Sequence, residues 1–246
     1  MKFSYSAVWD DTVGMLKRNG SLLLALAGVF FMLPALLTGY LFPTPANADA
    51  DPVGAMFAYY RENWLGLMIG SLVNTIGSAA IYLLLFDRRG GTVGSAIAAA
   101  LPIVPFYFLM SLLVSLAIGF GFVLLVVPGI YLIGRLATSG TVMVAEGRRN
   151  PLNAIGGSWR LTKGKGWAVA GLVLIVGLAG AILSFAITAV LGSIFLLVGG
   201  REGVGGLLVL ILNSALTAVL YTVLIVLLAA IYRRLAPDES AVAVPA

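Results

Sequence analysis

Apolar residues run through this chain in six long blocks, 21–42, 64–86, 103–120, 123–145, 167–191 and 207–232, and the stretches between them carry almost all the charge. Each block is continuous, and each approaches the length, about 20 residues, that a helix rising about 1.5 Å per residue needs to cross about 30 Å of hydrocarbon. Strands of a membrane barrel would alternate apolar and polar positions, so the pattern predicts helices. The predicted fold class is all-α: a polytopic integral membrane protein with about six transmembrane helices in three hairpins. One membrane domain covers 1–235, and 236–246 reads as a short disordered tail. No polar loop separates the third block from the fourth, which leaves their boundary the least defined.

A second periodicity lies between the blocks. Tyr5, Trp9, Val13 and Leu16 are spaced by four, four and three, with Asp10, Asp11, Lys17 and Arg18 elsewhere and Asn19-Gly20 as a stop. Asn150 before Pro151 is a helix start, because the asparagine oxygen accepts from a free backbone N–H and proline at the first position loses no hydrogen bond. Leu152, Ile155, Trp159 and Leu161 or Thr162 then gather on one side, Asn153, Arg160 and Lys163 are polar, and Gly164 ends the segment. A weaker third example, 92–101, follows Arg88-Arg89-Gly90-Gly91 and ends at Pro102. Each precedes a pair of spans, so three units of amphipathic interface helix plus hairpin are expected.

Charge orients this layout. Lys2, Lys17, Arg18, Arg88, Arg89, Arg148, Arg149, Arg160, Lys163, Lys165, Arg233 and Arg234 share one side under a six-span count, while Arg61 and Arg201 fall on the other. The positive-inside rule places both termini in the cytoplasm and 43–63, with Asp49, Asp51 and Glu62, outside. The expected location is a bacterial inner membrane. The net charge of +5 then reports topology and contact with anionic membrane lipids, and nucleic acid is not an expected partner. Ala46-Asn47-Ala48 resembles the cleavage site of a signal peptide. The apolar run before it exceeds the roughly 7–15 residues of such a peptide, so it reads as a retained span.

Composition narrows the chemistry. The chain is 61% hydrophobic and 10% charged and holds neither cysteine nor histidine, which removes disulfides, thiol nucleophiles, histidine or cysteine metal sites and His-dependent triads. Its ten acidic residues are scattered over both sides and form no convincing metal site, so no cofactor is expected.

The most specific text is Pro128-Gly129-Ile130-Tyr131-Leu132, then Arg135, Glu146-Gly147, and Ser158-Trp159-Arg160-Leu161-Thr162-Lys163-Gly164. In order and spacing it resembles the bacterial membrane family named for the glycerophosphoryl diester phosphodiesterase membrane domain, most densely over 127–165 and loosely, through the six-span layout, over nearly the whole chain. Two departures are Gly140-Thr141, where a proline is expected, and Gly156-Gly157 before Ser158. In the phosphodiesterase, the resemblance implies a separate catalytic barrel with histidines and metal-binding carboxylates. This chain has no histidine and no room for a barrel, so it reads as the membrane domain alone, without that activity.

Arg135 is the one charge expected inside the bilayer, where ionisable residues are costly and mark function. Two geometries are open. A fourth helix beginning near Val123 puts Arg135 at mid-membrane, in need of Asn74, Asn213, Tyr131 or Tyr221; one beginning at Pro128 lets it reach an outer-leaflet phosphate, and this second geometry is preferred. Glu146, at a helix C-terminus, needs a cation from among Arg148, Arg149, Arg160 and Lys163, and is expected to tie the fourth span to the following interface helix. Gly66-x-x-x-Gly70 permits close helix packing, most simply within the monomer. Gly90-Gly91 and 199–206 read as turns, since neither has the Lys-Ser/Thr ending of a phosphate loop. These features favour a non-catalytic protein that binds or organises lipids, with a transporter as the alternative. The candidate binding residues are Arg135, Asn74, Asn213 and Tyr131.

Overall fold

A computed structural model of the chain describes residues 4–43, 51–86 and 92–236. Lys2, Ala46-Asn47-Ala48, Asp49, Asp87, Arg88-Arg89-Gly90-Gly91 and the tail from 237, with Asp238 and Glu239, lie outside the described residues. Ten helices follow: α1 Tyr5–Arg18, α2 Gly20–Leu41, α3 Pro52–Phe86, α4 Val93–Ala100, α5 Val104–Leu124, α6 Val126–Leu136, α7 Ser139–Ala145, α8 Pro151–Leu161, α9 Gly166–Gly199 and α10 Val204–Leu235. No strand occurs among the described residues. Six stretches are long and apolar enough to cross a membrane: α2, α3, α5, α6 with α7, α9 and α10. The protein is an all-α polytopic membrane protein.

The three short helices α1, α4 and α8 each precede a pair of long ones, and local chemistry starts each of them. The Ser4 hydroxyl accepts from the Ala7 N–H, Thr92 and Ser95 form a reciprocal capping box, and Asn150 Oδ1 accepts from the N–H of Leu152 at 2.9 Å and of Asn153 at 3.4 Å. Beyond α8, Gly164 takes φ +74°, a left-handed conformation that favours glycine and lets the chain turn into α9.

Several boundaries differ from expectation. α3 begins at Pro52, so Arg61 and Glu62, expected in the outer segment before the second span, lie on the same helix as that span and pair at 3.7 Å. The cause is local: Asp51 Oδ1 accepts from the Gly54 N–H at 2.9 Å and proline fills the first position, as at Asn150-Pro151. α9 continues through a π-helical segment, Thr188–Gly192, as far as Gly199, and α10 starts at Val204, which shortens the turn expected over 199–206. The fourth apolar block is two helices, broken at Ala137-Thr138.

Lys17, Arg18, Arg148, Arg149, Arg160, Lys163, Lys165, Arg233 and Arg234 fall at one end of the bundle, here the basic end, where α10 packs on α1 and α7, and α7 on α8. The core is there too: Val8 and Met15 of α1, 79–84 of α3, the whole of α7 and 229–232 of α10 are buried, and the rings of Phe86 and Tyr232 meet edge to face at 5.6 Å. The opposite, far half of α9 is largely exposed, and that of α10 is mostly half-buried or exposed. Contacts there are made by small residues: an added Cβ would lie 2.3 Å from the Phe42 ring at Gly66, and 2.5 Å from Leu210 at Gly39. Gly66 therefore serves packing between α2 and α3 within one molecule.

Candidate functional site

The polar motif converges on the break in the fourth block. α6 ends one residue after Arg135, and its interrupted ladder directs the Arg135 carbonyl at α8. The Ser158 hydroxyl donates to that carbonyl at 2.8 Å and accepts from Thr138 Oγ1 at 2.9 Å. Thr162 Oγ1, one turn further along α8, lies 3.2 Å from the same carbonyl and 2.8 Å from the Ser158 carbonyl, so its proton is shared. A buried carbonyl left unpaired by a helix break is costly, and the two hydroxyls at i and i+4 offset that cost.

The Arg135 side chain is 4% exposed, and its guanidinium carbon stands 4.2 Å over the Trp159 ring and 5.9 Å from that of Tyr131. Tyr131 meets Trp159 at 6.2 Å and Trp167 at 5.5 Å, so two aromatic rings border the cation and a third backs one of them. Cation–π attraction gains strength when desolvated and takes the place of a carboxylate partner. Arg135 Nε is buried and makes no hydrogen bond.

Arg135 has a defined neighbour within the bundle. It packs against Gly166, the first residue of α9, at the basic end. The reason is a backbone contact: a Cβ on Gly134 would fall 2.0 Å from the Gly166 carbonyl, so α6 and α9 touch through two glycines. The other proposed partners have neighbours of their own. Asn213 Oδ1 accepts from Thr188 Oγ1 at 3.1 Å and its Nδ2 donates to the Val209 carbonyl, Tyr221 lies 5.8 Å from Phe31, and Asn74 Oδ1 is buried without a hydrogen bond. No hydrogen bond joins any two of Asn74, Arg135 and Asn213. Pro128 and Gly129 open α6, far from the hydroxyl cluster in sequence, and Lys163 is exposed beside Gly164.

Glu146 takes its cation from Arg148, whose Nε donates to Oε2 at 2.5 Å. The same guanidinium reaches the Asn153 carbonyl of α8 at 3.5 Å, and Tyr232 of α10 donates to Glu146 Oε1 at 3.3 Å. The residue joins the end of α7 to both α8 and α10. α8 packs Ala154, Gly157, Ser158 and Thr162 against the bundle, while Leu152 and Trp159, expected to meet the membrane interface, keep substantial exposure. Gly157 is needed there, since a Cβ would lie 2.7 Å from Val142 of α7.

A feature absent from the sequence reading lies across the molecule. An apolar groove of about 620 Å³ runs between α9 and α10 along 172–187 and 216–223, and Tyr5, Ser6 and Trp9 of α1 line its basic end. The spacing of Tyr5 and Trp9 marks an aromatic face on α1, but the partner helices for that face are a tertiary fact. On the other side of α1, Asp11, Arg18, Arg233 and Arg234 line a smaller cleft of about 330 Å³. Arg234 donates to Asp11, and this hydrogen bond, joined by the charges of Arg234, Arg233 and Arg18, holds the Asp11 carboxyl below its usual range against the opposing effect of burial. No family model, no curated protein and no solved structure matches the chain.

Proposed function

We propose that this is a non-catalytic membrane protein that holds a phospholipid, with one acyl chain in the groove between α9 and α10. The observation that carries this reading is the groove itself. Its α9 wall spans sixteen residues, from Leu172 to Ile187, whose fifteen helical rises correspond to about 22 Å and to an extended acyl chain. Its basic end is bordered by Tyr5 and Trp9, residue types that favour headgroup depth, and by Ser6. The bias of basic residues supports a cytoplasmic location for both termini and a bacterial inner membrane. The resemblance of 127–165 to the phosphodiesterase membrane domain, without histidine, supports a membrane module that performs no hydrolysis. Arg135 has a positioning role in this reading: its carbonyl and its aromatic cage fix α8 and the start of α9, one wall of the groove.

Mass spectrometry of lipids that copurify with the protein tests the proposal. The wild type is expected to retain a restricted set of phospholipids, and Ala179→Trp, which fills the groove from an exposed position, to lose them. A retained set that mirrors the bulk membrane, or that is unchanged by Ala179→Trp, would overturn it.

A further inference from the structure

The connection between α5 and α6 differs from the other two on the far side. Those carry Asp51, or Arg201 and Glu202, and Arg61 and Glu62 follow on the outer part of α3; from Gly119 to Ile130 there is no polar side chain at all. Leu125 is the single residue between the two helices, at φ −166° and ψ 155°. The tip is open: Val123 is 82% exposed and Leu125 69%. The Leu125 N–H donates to the Gly121 carbonyl at 3.0 Å, and its carbonyl accepts from the Gly129 N–H at 3.3 Å. Pro128 adds no N–H, so this turn exposes little backbone beyond the two helix ends, the condition for leaving helix inside hydrocarbon. Gly121 and Gly129 bring the two arms together, since a Cβ on Gly121 would lie 3.1 Å from the Gly129 Cα.

The depth of this tip follows from register. Gly180 of α9 faces Leu220 of α10, so fourteen residues back along one antiparallel helix and on along the other set Gly166 opposite Arg234, both at the basic end. Gly134 packs on Gly166, and only eight residues separate Gly134 from Val126. Eight residues of helix reach at most about 12 Å, less if α6 leans, whereas the hydrocarbon is about 30 Å thick. We infer that the α5–α6 hairpin enters the bilayer from the basic side and turns back inside it, with its apolar tip among acyl chains. Two of the six apolar stretches then dip and four cross, and both termini still share one side.

The absence of cysteine makes the test direct. Single cysteines at Val123 and Leu125, both exposed, carry a nitroxide in liposomes, with Leu178 and Leu197 of α9 as mid-depth and far-end references. Oxygen and nickel collision rates should place both tip sites no farther out than Leu178, with nickel access several-fold below that of Leu197. Two sites guard against one variant that fails to fold. A depth equal to that of Leu197, or aqueous nickel access at either tip site, would overturn the inference.

Discussion

The basic end and the far half of this bundle are built from the same apolar residues and packed in opposite ways. In α10, 229–232 are wholly buried, while Val204, Leu207 and Val219 face outward; in α9, burial is concentrated in the first turns. Lipid tails are as apolar as leucine, so apolarity alone does not draw helices together in a membrane. The basic end has what the far half lacks: the Arg135 carbonyl with its two hydroxyls, Glu146 shared by Arg148 and Tyr232, and Asp11 with Arg234. Buried hydrogen bonds and ion pairs fix one end; the other is joined by glycine contacts and the exposed Thr188–Asn213 bond, and more of its surface is left for lipid to solvate.

The largest expected effect sets the two halves directly against each other. Leu227→Ala empties a fully buried site at the basic end and should cost about 2–5 kcal/mol in reversible unfolding. Leu197→Ala, at a site 86% exposed in the far half, should change stability by less than about 0.5 kcal/mol. Equal losses at the two sites would mean that the halves are not packed differently. Next, Ser158→Ala combined with Thr162→Val leaves the Arg135 carbonyl without a hydroxyl donor and should cost about 1–3 kcal/mol, with either single change costing less because one hydroxyl remains. Additive single losses would contradict the shared acceptor. Glu146→Gln weakens the join between α7, α8 and α10 and should lower stability by about 1 kcal/mol; an unchanged unfolding midpoint together with an unchanged orientation of α8 would show that the carboxylate holds nothing there.

The smallest effect concerns pH. Asp11 has a depressed folded-state pKa, so its pairing contributes above the unfolded value, about 4, and the contribution is lost as pH falls through the folded value. Both side chains of the pair are more than a third exposed, so screening limits the effect to about 0.5 kcal/mol. Asp11→Asn should flatten that part of the stability profile and leave it unchanged near neutrality apart from a small constant offset. An undiminished acid dependence in the variant would assign the effect to other groups.

Periodicity made the apolar helices legible, because membrane length and amphipathic spacing are properties of one segment at a time. The starts at Asn150 and Thr92 and the stop at Gly164 were legible for the same reason, and so was the need of Glu146 for a cation. Asp51-Pro52 carries the same signal as Asn150-Pro151 and fixes the start of α3, yet the polar residues that follow made it read as loop. The break at Thr138 could not be read locally, since its cost is offset by Ser158 and Thr162 from a distant helix. The neighbours of Arg135 could not be read from its own segment because they depend on where Gly134 meets Gly166. The groove depends on which helices become neighbours, and no spacing within a single segment encodes that.

The lipid in the groove is the central claim, and photo-crosslinking tests it at its own site. Phospholipid with a diazirine along the acyl chain, reconstituted with the protein and irradiated, should leave adducts concentrated on 172–187 and 216–223, and Ala179→Trp should remove them. Adducts spread equally over the exposed faces of α5, such as Leu109, Leu112 and Leu116, and unaffected by Ala179→Trp would contradict it.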